Sequence, residues 1–380
     1  MRFCHRIGSF IAGAILSSAC ALAQAVDGVG EDQILLGQSA AFSGPAQALG
    51  KEMLQGAKLY FDGVNAAGGI HGRRVEITSL DDGYEPERAA ANTRELIERQ
   101  KVFALFAYVG TPTSLAAMPI FTAAKVPFVG AFTGAEALRN PLNRQIFNVR
   151  ASYFDETERI VEHLVTTGVK RIAVFHQNDS YGKAGLTGVE RAMKKRGLEP
   201  IAKATVERNS VDVATAVDTL MAASPDAIIQ ISAYASCAAL IKEMRAAGNI
   251  AMFYNVSFVG SKALSDALGN EARGVVISQV VPLPWSGITP IVREYQERMK
   301  DAGFTELSFT SLEGFIAAKT MTEGLQRAGR NLTRGRLVEA FESMNAFDLG
   351  GFTVGFSPQA HNGSDFVDLT IISRDGRFIH

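Results

Sequence analysis

Strand-like and helix-like segments alternate almost without interruption from residue 34 to the C-terminus, and no other feature limits the fold as strongly. Strands are expected at 34–39, 74–80, 103–109, 126–131, 171–175, 201–206, 227–231, 251–256, 274–279, 352–355 and 367–373. Helical periodicity fills 48–65, 86–100, 112–124, 156–167, 182–196, 213–222, 235–247, 290–302, 312–328 and 334–344. The apolar runs AVF at 173–175 and AIIQI at 227–231 lack polar alternation, as strands covered on both faces do. This order predicts an α/β fold of parallel sheets flanked by helices. So many strands need two sheets, and 380 residues suffice for two cores.

The first residues form a separate object. Arg2 and Arg6 precede a short apolar stretch at 7–16, and Ala21-Leu22-Ala23 fits a small-x-small cleavage site. The stretch is too short to span a bilayer, so residues 1–23 read as a secretory signal cut after Ala23, with Ala25 as the alternative. Lipid attachment at Cys20 is disfavoured, because Ser17 stands where a leucine is expected. Cys4 and Cys20 leave with the signal. Cys237 remains as a buried small hydrophobe, and no internal disulfide is expected. A formal charge of −1 gives no basic face for nucleic acid or an anionic membrane.

Catalytic and cofactor motifs fail one by one. Gly44 and Gly50 enclose five residues rather than four, and Glu52 follows Lys51, so there is no phosphate loop. Neither a G-x-G-x-x-G fingerprint nor a G-x-S-x-G elbow occurs. His71, His163, His176, His361 and His380 have no second ligand at metal spacing. The chain is therefore expected to be no enzyme and to hold no cofactor and no metal. Asp81-Asp82 reads as bracing for the turn before the helix at Pro86.

One corner stands out. The run LFAYV at 105–109 stops at Gly110, and Thr111, Pro112, Thr113 and Ser114 follow. In open α/β sheets ligands sit beyond the carboxyl ends of strands. If Pro112 starts a helix, the N–H groups of Thr113 and Ser114 lack intrahelical partners and point at that space. With the helix dipole behind them, these groups and three hydroxyls make a seat for a small anion, most simply a carboxylate. Capping the helix would need only one hydroxyl. The strand ends at 132–139, 176–182 and 231–237 carry hydroxyl, amide and aromatic groups and would line the same cleft.

At this point FSGPAQALGKEMLQGAKLYFDGVNAAGGIHGRRVEI, DDGYEPERA, VGTPTS and NDSYGKAG resemble the leucine/isoleucine/valine-type periplasmic binding proteins of ABC importers. NAAGGIHGR at 65–73 is the most specific piece. The resemblance implies a type I binding protein of two Rossmann-like lobes joined by a three-crossing hinge. Lobe 1 would take residues 26–147 and about 281–350; lobe 2 would take 148–280 and about 351–380. It further implies a periplasmic monomer that captures a carboxylate-bearing small molecule and delivers it to a membrane permease. Thr113 and Ser114 match the segment that holds the ligand carboxylate. Ala131 and Thr133 match the next strand end, where a carbonyl and a threonine meet the polar head. Tyr181 and Tyr234 match aromatic residues of the second lobe; Phe42 and Tyr84, in loops facing the same side, are weaker candidates. Where amino-acid binders of the family place an acid for the ligand ammonium, this chain has Ser257, and an ammonium buried without a partner is costly. Glu313 is a substitute for that acid, or else a brace for its own helix start. The ligand class thus stays open between amino acids, amides and organic acids. A ligand-sensing domain and a secreted hydrolase are the alternative functions.

Overall fold

The computed structural model describes residues 26–380, so the expected signal at 1–23, with Cys4, Cys20 and the lipidation question, lies outside the described residues. From its start the chain builds β1 (Gln33–Ala40), α1 (Gln47–Ala66), β2 (Arg74–Asp81), α2 (Pro86–Arg94), β3 (Ala104–Phe106), α3 (Thr111–Ala123), β4 (Phe128–Val129) and β5 (Ile146–Phe147). These five strands form one parallel sheet in the order β2-β1-β3-β4-β5. The chain then leaves for a second sheet, through α4 (Tyr153–Thr166), β6 (Ile172–Gln177), α5 (Ser180–Lys194), β7 (Lys203–Val206), α6 (Ala214–Ala223), β8 (Ala227–Ile231), α7 (Tyr234–Ala246), β9 (Met252–Asn255), α8 (Ser261–Leu268) and β10 (Val276–Gln279). It returns with α9 (Pro290–Asp301), α10 (Phe309–Ala328), α11 (Arg334–Glu342) and the hairpin β11 (Phe347–Asp348) and β12 (Thr353–Val354). It ends on β13 (Asp368–Ile372) and β14 (Phe378–Ile379) in the second sheet.

That second sheet has the order β14-β13-β10-β9-β8-β6-β7 and departs from a purely parallel one. β13 pairs antiparallel with β10, and β14 antiparallel with β13. The reason is connectivity: the last strand enters from the inter-sheet side without a helical crossover, and a parallel entry would require one. The chain passes between the sheets at 148–152, 280–289 and 355–367. The first and third passages bond to each other, Asn148 N–H to the His361 carbonyl at 2.9 Å and Gly363 N–H to the Asn148 carbonyl at 2.7 Å.

In each lobe the helix that follows the first strand packs hard against the end of that strand. A Cβ on Gly50 of α1 would strike the Ala41 backbone, and one on Gly182 of α5 would strike Gln177. Only glycine permits that approach, which brings both helix N-termini to the cleft side of their sheets. In the first lobe α1 and α10 lie together through Gly56 and Gly314 on one sheet face. Leu96, Leu105, Tyr108, Phe121 and Phe128 fill the other face.

Candidate functional site

The corner between β3 and α3 is held by Gly110, at φ +104, where a Cβ would meet the Tyr84 ring. Helix α3 opens at Thr111, one residue before Pro112, and this decides which donors stay open. The Ser114 N–H donates to the Gly110 carbonyl at 3.1 Å, so the expectation of a free donor there is corrected. The Thr113 N–H precedes the first helical bond and has no intrahelical acceptor. The Thr113 hydroxyl is spent on the Val109 carbonyl at 2.5 Å. Thr111 Oγ1 and Thr133 Oγ1 share a 2.6 Å bond, and Thr133 Oγ1 donates onward to the Tyr153 hydroxyl at 3.3 Å. Of the corner's three hydroxyls, Ser114 Oγ alone is buried without a partner. Leaving such a group unpaired costs about 1–3 kcal/mol, and here it faces the positive end of a helix. The Ala131 carbonyl on the next strand end accepts from the Thr133 N–H at 2.9 Å.

The two lobes meet over this corner. Tyr84, on the first lobe, has φ +64 and is fully buried. A bulky residue in the left-handed region is strained, and the turn that imposes it is braced by Asp81 and Asp82. Asp81 accepts from the N–H groups of Phe42, Ser43 and Gly83, and Asp82 from Ser39 Oγ and the Tyr84 N–H. These bonds hold the Asp81 carboxyl well below its usual range, while burial pushes Asp82 up to about 6. The Tyr84 hydroxyl accepts a 3.2 Å bond from Gln177 of the second lobe. Phe258 of the second lobe packs against Tyr84, Phe132 and Tyr181, with centroids at 5.8, 5.4 and 4.5 Å. Tyr181 also tilts against Tyr153 at 5.4 Å, and its buried hydroxyl has no partner. At the rim Arg208 bonds Glu85 at 2.9 Å, and Asn209 bonds the Gly83 carbonyl at 3.0 Å. Tyr234, at the start of α7, is only partly buried and faces Ala48 and Glu52 of α1. The structure thus sets it at the rim, apart from the aromatic group around Phe258.

A buried charge cluster adjoins this aromatic group through Phe132. The Arg150 guanidinium lies over the Phe132 ring at 4.9 Å. Its Nη2 donates to Glu156 Oε1 at 3.1 Å and also to Ser257 Oγ. Glu156 accepts further from the Ser257 N–H (2.7 Å), Ser257 Oγ (3.0 Å) and Ser278 Oγ (2.6 Å). Glu313 Oε1 stands 3.4 Å from Arg150 Nη1. Its helix start is capped by Ser308, which accepts from the Ser311 N–H, so bracing that start is not what Glu313 does. Burial lifts the Glu313 carboxyl to about 7; Arg150 and Arg139 oppose the rise and Glu156 adds to it.

Sequence reasoning missed Arg150, Glu156, Tyr153 and Phe258. The one available signal was the capping box of Ser152 and Asp155, which fixes the start of α4 and so turns Tyr153 and Glu156 inward. Among the described residues no group of three or more His, Cys, Asp or Glu could hold a metal ion, and no helix is long and apolar enough to cross a membrane.

Comparison with known proteins agrees with this fold. A family model described as periplasmic binding protein matches residues 33–377. A possible leucine/isoleucine/valine-binding protein from Rhodopirellula baltica SH 1 superposes with a TM-score of 0.88 at 36% identity, over 94% of this chain and 98% of that one. A substrate-binding periplasmic protein from Ralstonia solanacearum gives 0.87 at 33% identity, over 91% and 99%. Leu/Ile/Val-binding protein homolog 7 of Brucella abortus (strain 2308) is 26% identical over 311 residues, covering 77% of each chain. These likenesses establish the type I fold.

Proposed function

Because the chain belongs to the periplasmic binding protein family, we propose that it is an exported solute-binding protein that captures a small carboxylate-bearing molecule between its lobes and delivers it to an ABC importer. The observation that carries this reading is the buried, unpartnered Ser114 hydroxyl at the N-terminus of α3, enclosed by the closed lobes. A carboxylate there would accept from Ser114 Oγ and the Thr113 N–H. Thr133 and the Ala131 carbonyl would flank its polar head, and Tyr181 would close on it from the second lobe. Tyr234 would contribute at the rim, while Ser257 and Glu313 would set the charge near the ligand.

The mechanism is differential binding. Tyr84–Gln177 and Arg208–Glu85 join the lobes only when these are together. A ligand touching both lobes shifts the open–closed balance by its extra affinity for the closed form. A permease that docks on the closed form then receives loaded protein in preference to empty.

Thermal unfolding of the mature chain, stripped of carried-over ligand, tests this against amino acids, amides, short-chain acids and aromatic acids. A ligand at a hundredfold its Kd raises stability by about 2.7 kcal/mol. Stabilisation by no carboxylate in the panel would overturn the reading.

A further inference from the structure

We infer that the solute carries a hydrogen-bond acceptor, and no ammonium, beside its carboxylate: an α-oxo or α-hydroxy acid selected by Arg150. This rests on the carboxylate-binding reading above.

Open donors gather around the aromatic cluster. Arg150 is about 1% exposed, and its Nε and Nη1 have no hydrogen-bond partner. The hydroxyls of Ser114 and Tyr181 are equally buried and equally open. The charged acceptor of the cluster is already used, and the open acceptors of the second lobe, Gln230 Oε1 and Asn255 Oδ1, are neutral amide oxygens that cannot offset an ammonium charge. Both oxygens of Glu156 are engaged, by Arg150, Ser257 and Ser278. Arg139, the other buried guanidinium nearby, uses Nη1 and Nη2 on Asn362 Oδ1 and the carbonyls of Arg150 and Ala151, with its Nε left open. Glu313 is the one carboxylate an ammonium could reach, and Arg150 Nη1 already stands 3.4 Å from it. A ligand ammonium there would share that carboxylate with a guanidinium and leave the Arg150 donors unsatisfied. An α-oxygen reverses both defects, because it accepts from Nε or Nη1 while the neighbouring carboxylate takes the α3 seat. The cation–π contact with Phe132, the residue before Thr133, keeps the guanidinium on the same strand end as the polar-head site. With its carboxyl lifted to about 7, Glu313 is readily protonated near neutrality and then adds a further donor.

The test is titration calorimetry on the whole mature protein with matched sets: leucine, valine, phenylalanine, alanine and glutamate, each beside its α-oxo, α-hydroxy and α-hydrogen acids. A charged donor's bond to the α-oxygen should favour the oxo or hydroxy acid over the amino acid of the same side chain by roughly 10- to 100-fold. Tighter binding of the amino acid, or of the α-hydrogen acid, would overturn the inference and leave the carboxylate reading standing. Failure of every acid and amino acid would instead overturn the carboxylate reading. Removing Arg150 alone strands Glu156, so the variant is Arg150→Met with Glu156→Gln, which removes the pair together. It should unfold cooperatively and lose the oxo-over-hydrogen preference; a folded variant that keeps the preference would also overturn the assignment.

Discussion

The Tyr84 hydroxyl on the first lobe accepts a 3.2 Å hydrogen bond from the Gln177 amide on the second, and both side chains are buried when the lobes are closed. Tyr84 holds this position at φ +64, so the turn that strains its backbone also aims its ring across the cleft. Separating the lobes must break the bond, so it belongs to the closed form alone.

Tyr84→Phe keeps the ring and removes the acceptor. Ligand affinity should fall by about 0.5–1.5 kcal/mol, a few-fold to tenfold, with the melting temperature of the ligand-free protein nearly unchanged. Calorimetry and thermal unfolding measured side by side check both halves.

Ser114→Ala combined with Thr133→Ala addresses the carboxylate seat. Ser114 Oγ has no partner within the chain, so its loss should scarcely affect folding. Ligand affinity should drop at least tenfold, from hydrogen bonds to a charged group at about 1.5–3 kcal/mol each. An unchanged Kd would remove this corner from the binding site.

Arg150→Ala by itself should destabilise the ligand-free protein by about 3–5 kcal/mol, because it leaves Glu156 buried without its cation. Urea unfolding of variant and wild type measures the difference.

Glu313→Gln should alter the pH dependence of stability. The native carboxyl is lifted to about 7 from the ordinary 4.5, so between those values the folded state holds a proton that the unfolded state has released. Stability from this group is therefore full below about pH 4.5 and lost as pH rises to about 7. Relative to Glu313→Gln, the wild type should lose on the order of 3 kcal/mol over that interval. Chemical denaturation at several pH values, without ligand, would show it; parallel curves for the two proteins would contradict it.

Cys237 is fully buried, and burial pushes its thiol well above the ordinary range. It should resist alkylation in the native protein and react only on unfolding, as mass spectrometry after timed labelling would record.

The residues that local pattern can reveal are those whose role is local. Alternating periodicities announce two sheets and their helices, because side-chain direction repeats every two residues in a strand and every 3.6 in a helix. Gly110 to Ser114 announce a strand-to-helix corner because a glycine after an apolar run and a proline in the next turn specify strand end and helix start. Asp81-Asp82 is legible as turn bracing for the same reason. The start of α3 one residue early was not legible, and it took the Ser114 N–H out of play. The charge cluster was hidden altogether. Glu156 meets Ser257 across 101 residues, and Arg150 meets Glu313 from the other lobe. Periodicity says which side of an element is buried and not which distant side chain shares the burial. By itself the sequence determined most of the elements, the need for two sheets and the strand-to-helix corner at Gly110, all set by backbone sterics and the local distribution of apolar residues. Which of the hydroxyls stays open, where Tyr234 lies, and the balance of one guanidinium between two carboxylates were decided only by tertiary structure. Those depend on how buried charges and hydrogen bonds are shared once three chain passages have brought the lobes together.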